Sequence, residues 1–78
     1  QSFIEQTYNK VKRVKSMILA TGSTALIEVD GGVGLGNTKR LVECGADVLV
    51  AGNAVFKAEN PAQTIHQLKN LTDKTYLV

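Results

Sequence analysis

A carboxylate followed by paired glycines, Asp30-Gly31-Gly32, ends the apolar run Ala25-Leu26-Ile27-Glu28-Val29. Further along, the run Asp47-Val48-Leu49-Val50-Ala51 ends in Gly52-Asn53. These two corners hold the residue types that could do chemistry. Consecutive glycines just past a strand let the backbone approach a ligand, and no side chain covers their N–H groups. Gly52 can do the same, and Asn53 and Ala54 then open a turn or a short helix with free amides. Two such corners side by side suit a phosphate. They also suit tight turns that bind nothing, and spacing alone leaves both readings open. Asp30 can act as general acid or base, or ligate a metal; as a loop-capping aspartate it would do neither. Glu28, two residues earlier, shares a strand face with Asp30. It should lie one layer deeper, as a buried and hydrogen-bonded structural acid.

Other chemistries have weaker support. The segment Gly32-Val33-Gly34-Leu35-Gly36-Asn37 follows a strand and precedes a helix, as a dinucleotide-binding turn does. That motif needs a third glycine where Asn37 stands, and an acid at the end of the next strand, where none is found. His66 falls on the polar side of a helix, far from the strand ends. The single cysteine, Cys44, cannot form an internal disulfide and sits in an apolar helical pattern, as a small buried hydrophobe would. That usage fits a reducing compartment and a cytoplasmic protein. Lys10, Lys12, Arg13 and Lys15 cluster, but a net charge of +2 and the lack of interleaved aromatics argue for a solvated helix face. Nucleic acid is not expected as a partner. Neither is a membrane, since no apolar run nears the ~20 residues of a span.

The elements that must carry the two corners follow from periodicity. Gln1 to about Ala20 reads as an amphipathic helix, with Ile4, Tyr8, Val11 and Ile18 on one face and Val14 and Met17 widening it. Gly22 stops it. A strand from Ala25 to Asp30 comes next, then a glycine-rich loop. A short helix follows from roughly Asn37 to Cys44, closed by Gly45, and a second strand from Asp47 to Ala51. Asn60, Pro61 and Gln63 mark a helix start as N-cap, first position and capping-box position. Ile65, Leu68 and Leu71 form the apolar edge of that last helix. Thr72 to Val78 reads either as an extended segment or as a frayed end.

Continuous Val/Ile/Leu strands alternating with helices imply an α/β fold, with right-handed crossovers and a parallel sheet buried on both faces. The 78 residues make one small unit at most. Two strands leave both sheet edges open, so residues 1–78 are expected to be part of a larger α/β protein rather than a complete domain.

The runs Ile27-Glu28-Val29-Asp30-Gly31-Gly32-Val33 and Cys44-Gly45-Ala46-Asp47-Val48-Leu49-Val50-Ala51-Gly52-Asn53-Ala54-Val55-Phe56 resemble the carboxyl-terminal part of the ribulose-phosphate 3-epimerase family. Gln1-Ser2-Phe3-Ile4 is similar to the segment just after that family's glycine-rich phosphate loop, and the resemblance runs to about Leu68. It implies a C-terminal fragment of a (β/α)8 TIM barrel: helix 6, strand 7, helix 7, strand 8 and helix 8. Phosphate sites of such barrels commonly use the loops after strands 7 and 8.

The implied reaction interconverts D-ribulose 5-phosphate and D-xylulose 5-phosphate, in the pentose phosphate pathway. Two aspartates exchange the C3 proton from opposite faces, and a divalent metal (Zn, Fe, Mn or Co) assists. By the resemblance, Asp30 is one of those aspartates and a metal ligand. Gly31, Gly32, Gly52 and Asn53 adjoin the substrate and its phosphate. Asn53 stands where serine is frequent. Gly34 replaces an asparagine common near the helix start and Gly36 loosens the first turn, so helix 7 should begin late. The remaining ligands, the partner aspartate and the first phosphate loop would lie on earlier strands, so these 78 residues alone are expected to be inactive. A six-carbon ketose phosphate such as allulose 6-phosphate is the alternative substrate, a non-catalytic phosphate-binding piece the alternative role, and a homo-oligomer stays open.

Overall fold

A computed structural model of the chain describes residues 2–72 and 75–78. In order, the elements are α1 (Phe3–Thr21), β1 (Glu28–Asp30), α2 (Thr38–Cys44), β2 (Val48–Val50), α3 (Gly52–Phe56), α4 (Pro61–Asn70) and β3 (Tyr76–Leu77). The strands form one parallel sheet in the order β1-β2-β3.

Local chemistry accounts for the helix ends. The Ser2 hydroxyl accepts the Glu5 amide at 3.2 Å, which caps the start of α1. Gly22, at φ +67°, ends α1 in the left-handed region that a residue with a Cβ adopts reluctantly. The Asn60 carboxamide oxygen accepts the Gln63 amide at 3.1 Å, and Pro61 follows at the first position of α4, as expected.

Tyr8 and Val11 of α1, Leu41 and Cys44 of α2, and Leu68 of α4 pack with Ile27, Val29 and Leu49 into one buried cluster. Val29 and Leu49 are partners in register, so they share a sheet face, and these helices cover that face. The other face carries Glu28, Val48, Asp30 and Val50, all exposed or half-buried. A molecular extent of 15 Å in its thinnest direction fits one helical layer on one sheet.

Several expectations need correction. The sheet is covered on one face rather than two. Glu28 is exposed on the open face, not buried. Val14 and Met17 are exposed, Met17 by 64%, because the face of α1 that they widen extends past the elements it packs on. The strand expected over 25–30 contracts to Glu28–Asp30, since β2 begins only at Val48 and residues 25–26 have no ladder partner. The ambiguous tail supplies a third strand: the Tyr76 amide donates to the Asp47 carbonyl at 3.0 Å and the Val78 amide to the Leu49 carbonyl at 2.9 Å. The part of that tail at positions 73–74 lies outside the described residues.

Candidate functional site

The register pairs Asp30 with Val50, which sets the end of β1 level with the end of β2. Three hydrogen bonds at the opposite end of the strands hold this alignment. The Ile27 amide donates to the Asp47 carboxylate at 2.8 Å, and the Ile27 carbonyl accepts the amides of Asp47 and Val48 at 2.9 and 3.0 Å. With the strand starts tied, the ends open side by side.

A cavity of about 390 Å³ lies between them. It is lined by Asp30, Gly31, Gly32 and Val33 from the first corner, and by Val50, Gly52, Asn53 and Phe56 from the second. All five residues singled out in the sequence therefore border one space. Gly31 and Gly32 have φ of +102° and +74°, which explains why glycine stands at both. Gly52 has no such backbone, and a Cβ built there would meet nothing within 4 Å. Among the described residues, the backbone amides of Gly32, Val33, Gly52 and Asn53 have no protein acceptor, whereas the register gives the Gly31 amide to the Val50 carbonyl. Such amides offer an anion ready-made donors.

Asp30 is exposed at the rim, and among the described residues it is the one carboxylate that lines this cavity. A divalent ion takes four or more ligands. Among the described residues no three His, Cys, Asp or Glu side chains gather, so this chain does not by itself fit such an ion. Glu28 and Asp30 also border a groove along the free edge of β1, facing Thr7 and Lys10 of α1. A third cavity, of about 310 Å³ between α3, α4 and β3, is lined by Val55, Phe56, Ile65, Leu68 and Leu77 among others. Its walls are mostly apolar, with Lys69 the one charged side chain among the described residues that line it. His66 lines none of these cavities, as expected for a surface residue.

Sequence reasoning missed Phe56, 90% exposed at the cavity rim, and Asn37. The Asn37 side chain spans the glycine loop, donating to the Gly32 carbonyl at 2.6 Å and accepting the Gly34 amide at 2.9 Å. An asparagine within a glycine-rich turn is the signal that could have found it. For Phe56 there was none, because a lone aromatic after a strand has no period to follow.

Comparison with known proteins adds a lineage to this geometry. The model of the ribulose-phosphate 3 epimerase family matches residues 1–56. The chain is 44% identical over 69 residues to the chloroplastic ribulose-5-phosphate-3-epimerase of Arabidopsis thaliana, covering 88% of this chain and 25% of that protein. It is 41% identical over 70 residues to the ribulose-phosphate 3-epimerase of Synechocystis sp., covering 90% of this chain and 30% of the other. To the enzyme of the same name from Escherichia coli it is 37% identical over 70 residues, covering 90% and 31%. The chain thus spans about a quarter to a third of the length of these relatives. Among the described residues, no helix is long and apolar enough to cross a membrane.

Proposed function

Since this chain belongs to the ribulose-phosphate 3-epimerase family, a family of carbohydrate-phosphate isomerases, we propose that it supplies one wall of an epimerase active site acting on D-ribulose 5-phosphate. The observation that carries this reading is the meeting of Asp30 with two amide-rich corners around one cavity. In the proposed arrangement the amides of Gly32, Gly52 and Asn53 hold the phosphate, and Gly31 borders it. The carboxylate of Asp30 then lies against the sugar carbons. It takes the proton from C3; the C–H electron pair moves toward C2, whose carbonyl becomes the oxygen of an enediolate. A second acid, from outside this chain, returns a proton to the opposite face of C3 and inverts that centre. Positioned carboxylates contribute roughly 10²–10⁴-fold to such transfers.

A divalent metal (Zn, Fe, Mn or Co) would polarise the substrate oxygens when bound. Asp30 is the one carboxylate that the described residues of this cavity wall offer it, so further charged ligands would come from the rest of the polypeptide. The barrel reading places α1, β1, α2, β2 and α4 as helix 6, strand 7, helix 7, strand 8 and helix 8. The helices on one face and the open opposite face agree with it, since barrel strands turn one face to the helices and the other inward. In a closed barrel the edge of β2 faces the first strand, so β3 must yield that edge. Residues 1–78 alone are inactive on this reading. The single unpaired Cys44 supports a reducing, cytoplasmic setting.

The test is Asp30→Asn in the whole polypeptide that contains this chain. Exchange of the C3 proton with deuterated solvent should fall by about 10²-fold or more, while phosphate affinity is kept. Retained exchange defeats the assignment of Asp30. Turnover of allulose 6-phosphate in preference to ribulose 5-phosphate would move the substrate to six carbons. Phosphate binding with no exchange in the unaltered protein would mark a binding module.

A further inference from the structure

We propose that Asn37 is a positioning residue for the first corner, its side-chain amide setting the direction in which the amide of Val33 faces. The observations begin with the loop itself. Gly31, Gly32, Gly34 and Gly36 fall within six positions, so the backbone has little intrinsic preference for one path. One side chain ties it. Asn37 Nδ2 donates to the Gly32 carbonyl at 2.6 Å, and Oδ1 accepts from the Gly34 amide at 2.9 Å. The clamp is itself anchored, because the Asn37 carbonyl accepts the Leu41 amide at 2.9 Å in the first turn of α2. Beside it, the fully buried Thr38 donates its hydroxyl proton to the Gly34 carbonyl at 2.7 Å.

The peptide plane converts this clamp into an orientation. In a trans peptide the carbonyl of one residue and the N–H of the next point in opposite directions. With the Gly32 carbonyl held toward Asn37, the Val33 N–H points away from it. Val33 lines the cavity, and its amide has no protein acceptor among the described residues. Asn37 precedes α2 in the place of a cap, yet its side chain makes no capping bond to that helix. The two hydrogen bonds its side chain makes go to Gly32 and Gly34. An aspartate could not substitute, since a carboxylate only accepts and would face the Gly32 carbonyl.

The orientation stands on geometry, whereas its consequence for substrate rests on the proposed phosphate site. The whole polypeptide is compared as Asn37→Ala and Asn37→Asp, with Asn60→Ala, the cap of α4, as a control for lost stability. Both Asn37 variants should weaken binding of inorganic phosphate and raise KM for ribulose 5-phosphate by about tenfold, the effect of one mis-aimed charge-assisted hydrogen bond. Their kcat should change far less, and the Asn60 variant should keep KM and phosphate affinity. Asn37 variants that fold and bind phosphate within about twofold of the unaltered protein would overturn the proposal, as would an equal KM change in Asn60→Ala. Should the Asn37 variants not fold, a titration of the unaltered protein with inorganic phosphate, read by amide NMR shifts, decides. Movement of Val33 together with Gly31 and Gly32 supports the proposal. Movement at positions 31, 32, 52 and 53 that spares Val33 overturns it alone, whereas no movement at either corner overturns the phosphate reading with it.

Discussion

Replacing Asp47 tests the physical step on which the site depends, the alignment of two strand ends through a bond at the strand starts. The Asp47 carboxylate accepts the amide of Ile27, a buried residue, at 2.8 Å. A hydrogen bond to a charged group contributes about 1.5–3 kcal/mol, and removing the acceptor strands the amide at a similar cost. The same carboxylate lies 4.0 Å from Lys15 Nζ, with both side chains about a third exposed, 34% and 28%. A pair of that exposure contributes about 0–1 kcal/mol, and at this distance the low end applies. Asp47→Ala should therefore cost about 2 kcal/mol. Asp47→Asn, which keeps an oxygen for Ile27, should cost about 1 kcal/mol, and Lys15→Met under about 0.5 kcal/mol. Urea titration of the whole polypeptide measures this: with a slope near 2 kcal/mol/M, the alanine variant shifts the midpoint by about 1 M at constant slope. If Lys15→Met costs as much as Asp47→Ala, the ion pair and not the Ile27 bond ties the strands. If Asp47→Ala costs under about 0.5 kcal/mol, the register has another source.

Besides the loss of C3 exchange expected in Asp30→Asn, the packing leads to three further outcomes. Leu49 is fully buried at the centre of the middle strand, so Leu49→Ala should destabilise by about 2–5 kcal/mol in the same titration. A cost below about 1 kcal/mol would mean that this core is not intact in the whole protein. Gly45 sits at φ +121°, and a Cβ there would lie 2.8 Å from Lys15 Cγ. Gly45→Ala should then cost about 1 kcal/mol or more, and adding Lys15→Ala should recover only the contact part; full recovery would show that the backbone is unstrained. Finally, if the barrel closes on β2, hydrogen exchange in the whole polypeptide should find the Val78 amide unprotected while Leu49 stays protected. Equal protection would keep β3 on the β2 edge and argue against closure there.

Much of this molecule was legible from neighbours in the chain. Asn60, Pro61 and Gln63 announced the start of α4, and Gly22 and Gly45 announced two helix ends, because caps and left-handed turns act over three or four residues. Asp30, Gly31, Gly32, Gly52 and Asn53 could be named for the same reason: each ends a β-rich run, and the ends of parallel strands are where backbone is free to meet a ligand. Resemblance to a known family added the reaction, which no spacing within 78 residues could supply.

Pairing across the chain was not legible. The run 25–30 looks like strand throughout, but only Glu28–Asp30 finds a partner in β2. The exposure of Glu28 and Met17 depends on which faces the helices cover, and β3 depends on an edge of β2 being open to it. Asn37 carried no periodicity, and its two hydrogen bonds to the glycine loop exist only once the loop has folded back on α2. The sequence by itself determined where α1 and α2 stop, where α4 starts and which residues stand at the corners. The tertiary structure alone decided that the corners face one cavity, because that requires a register between strands, and register is a property of two segments rather than one.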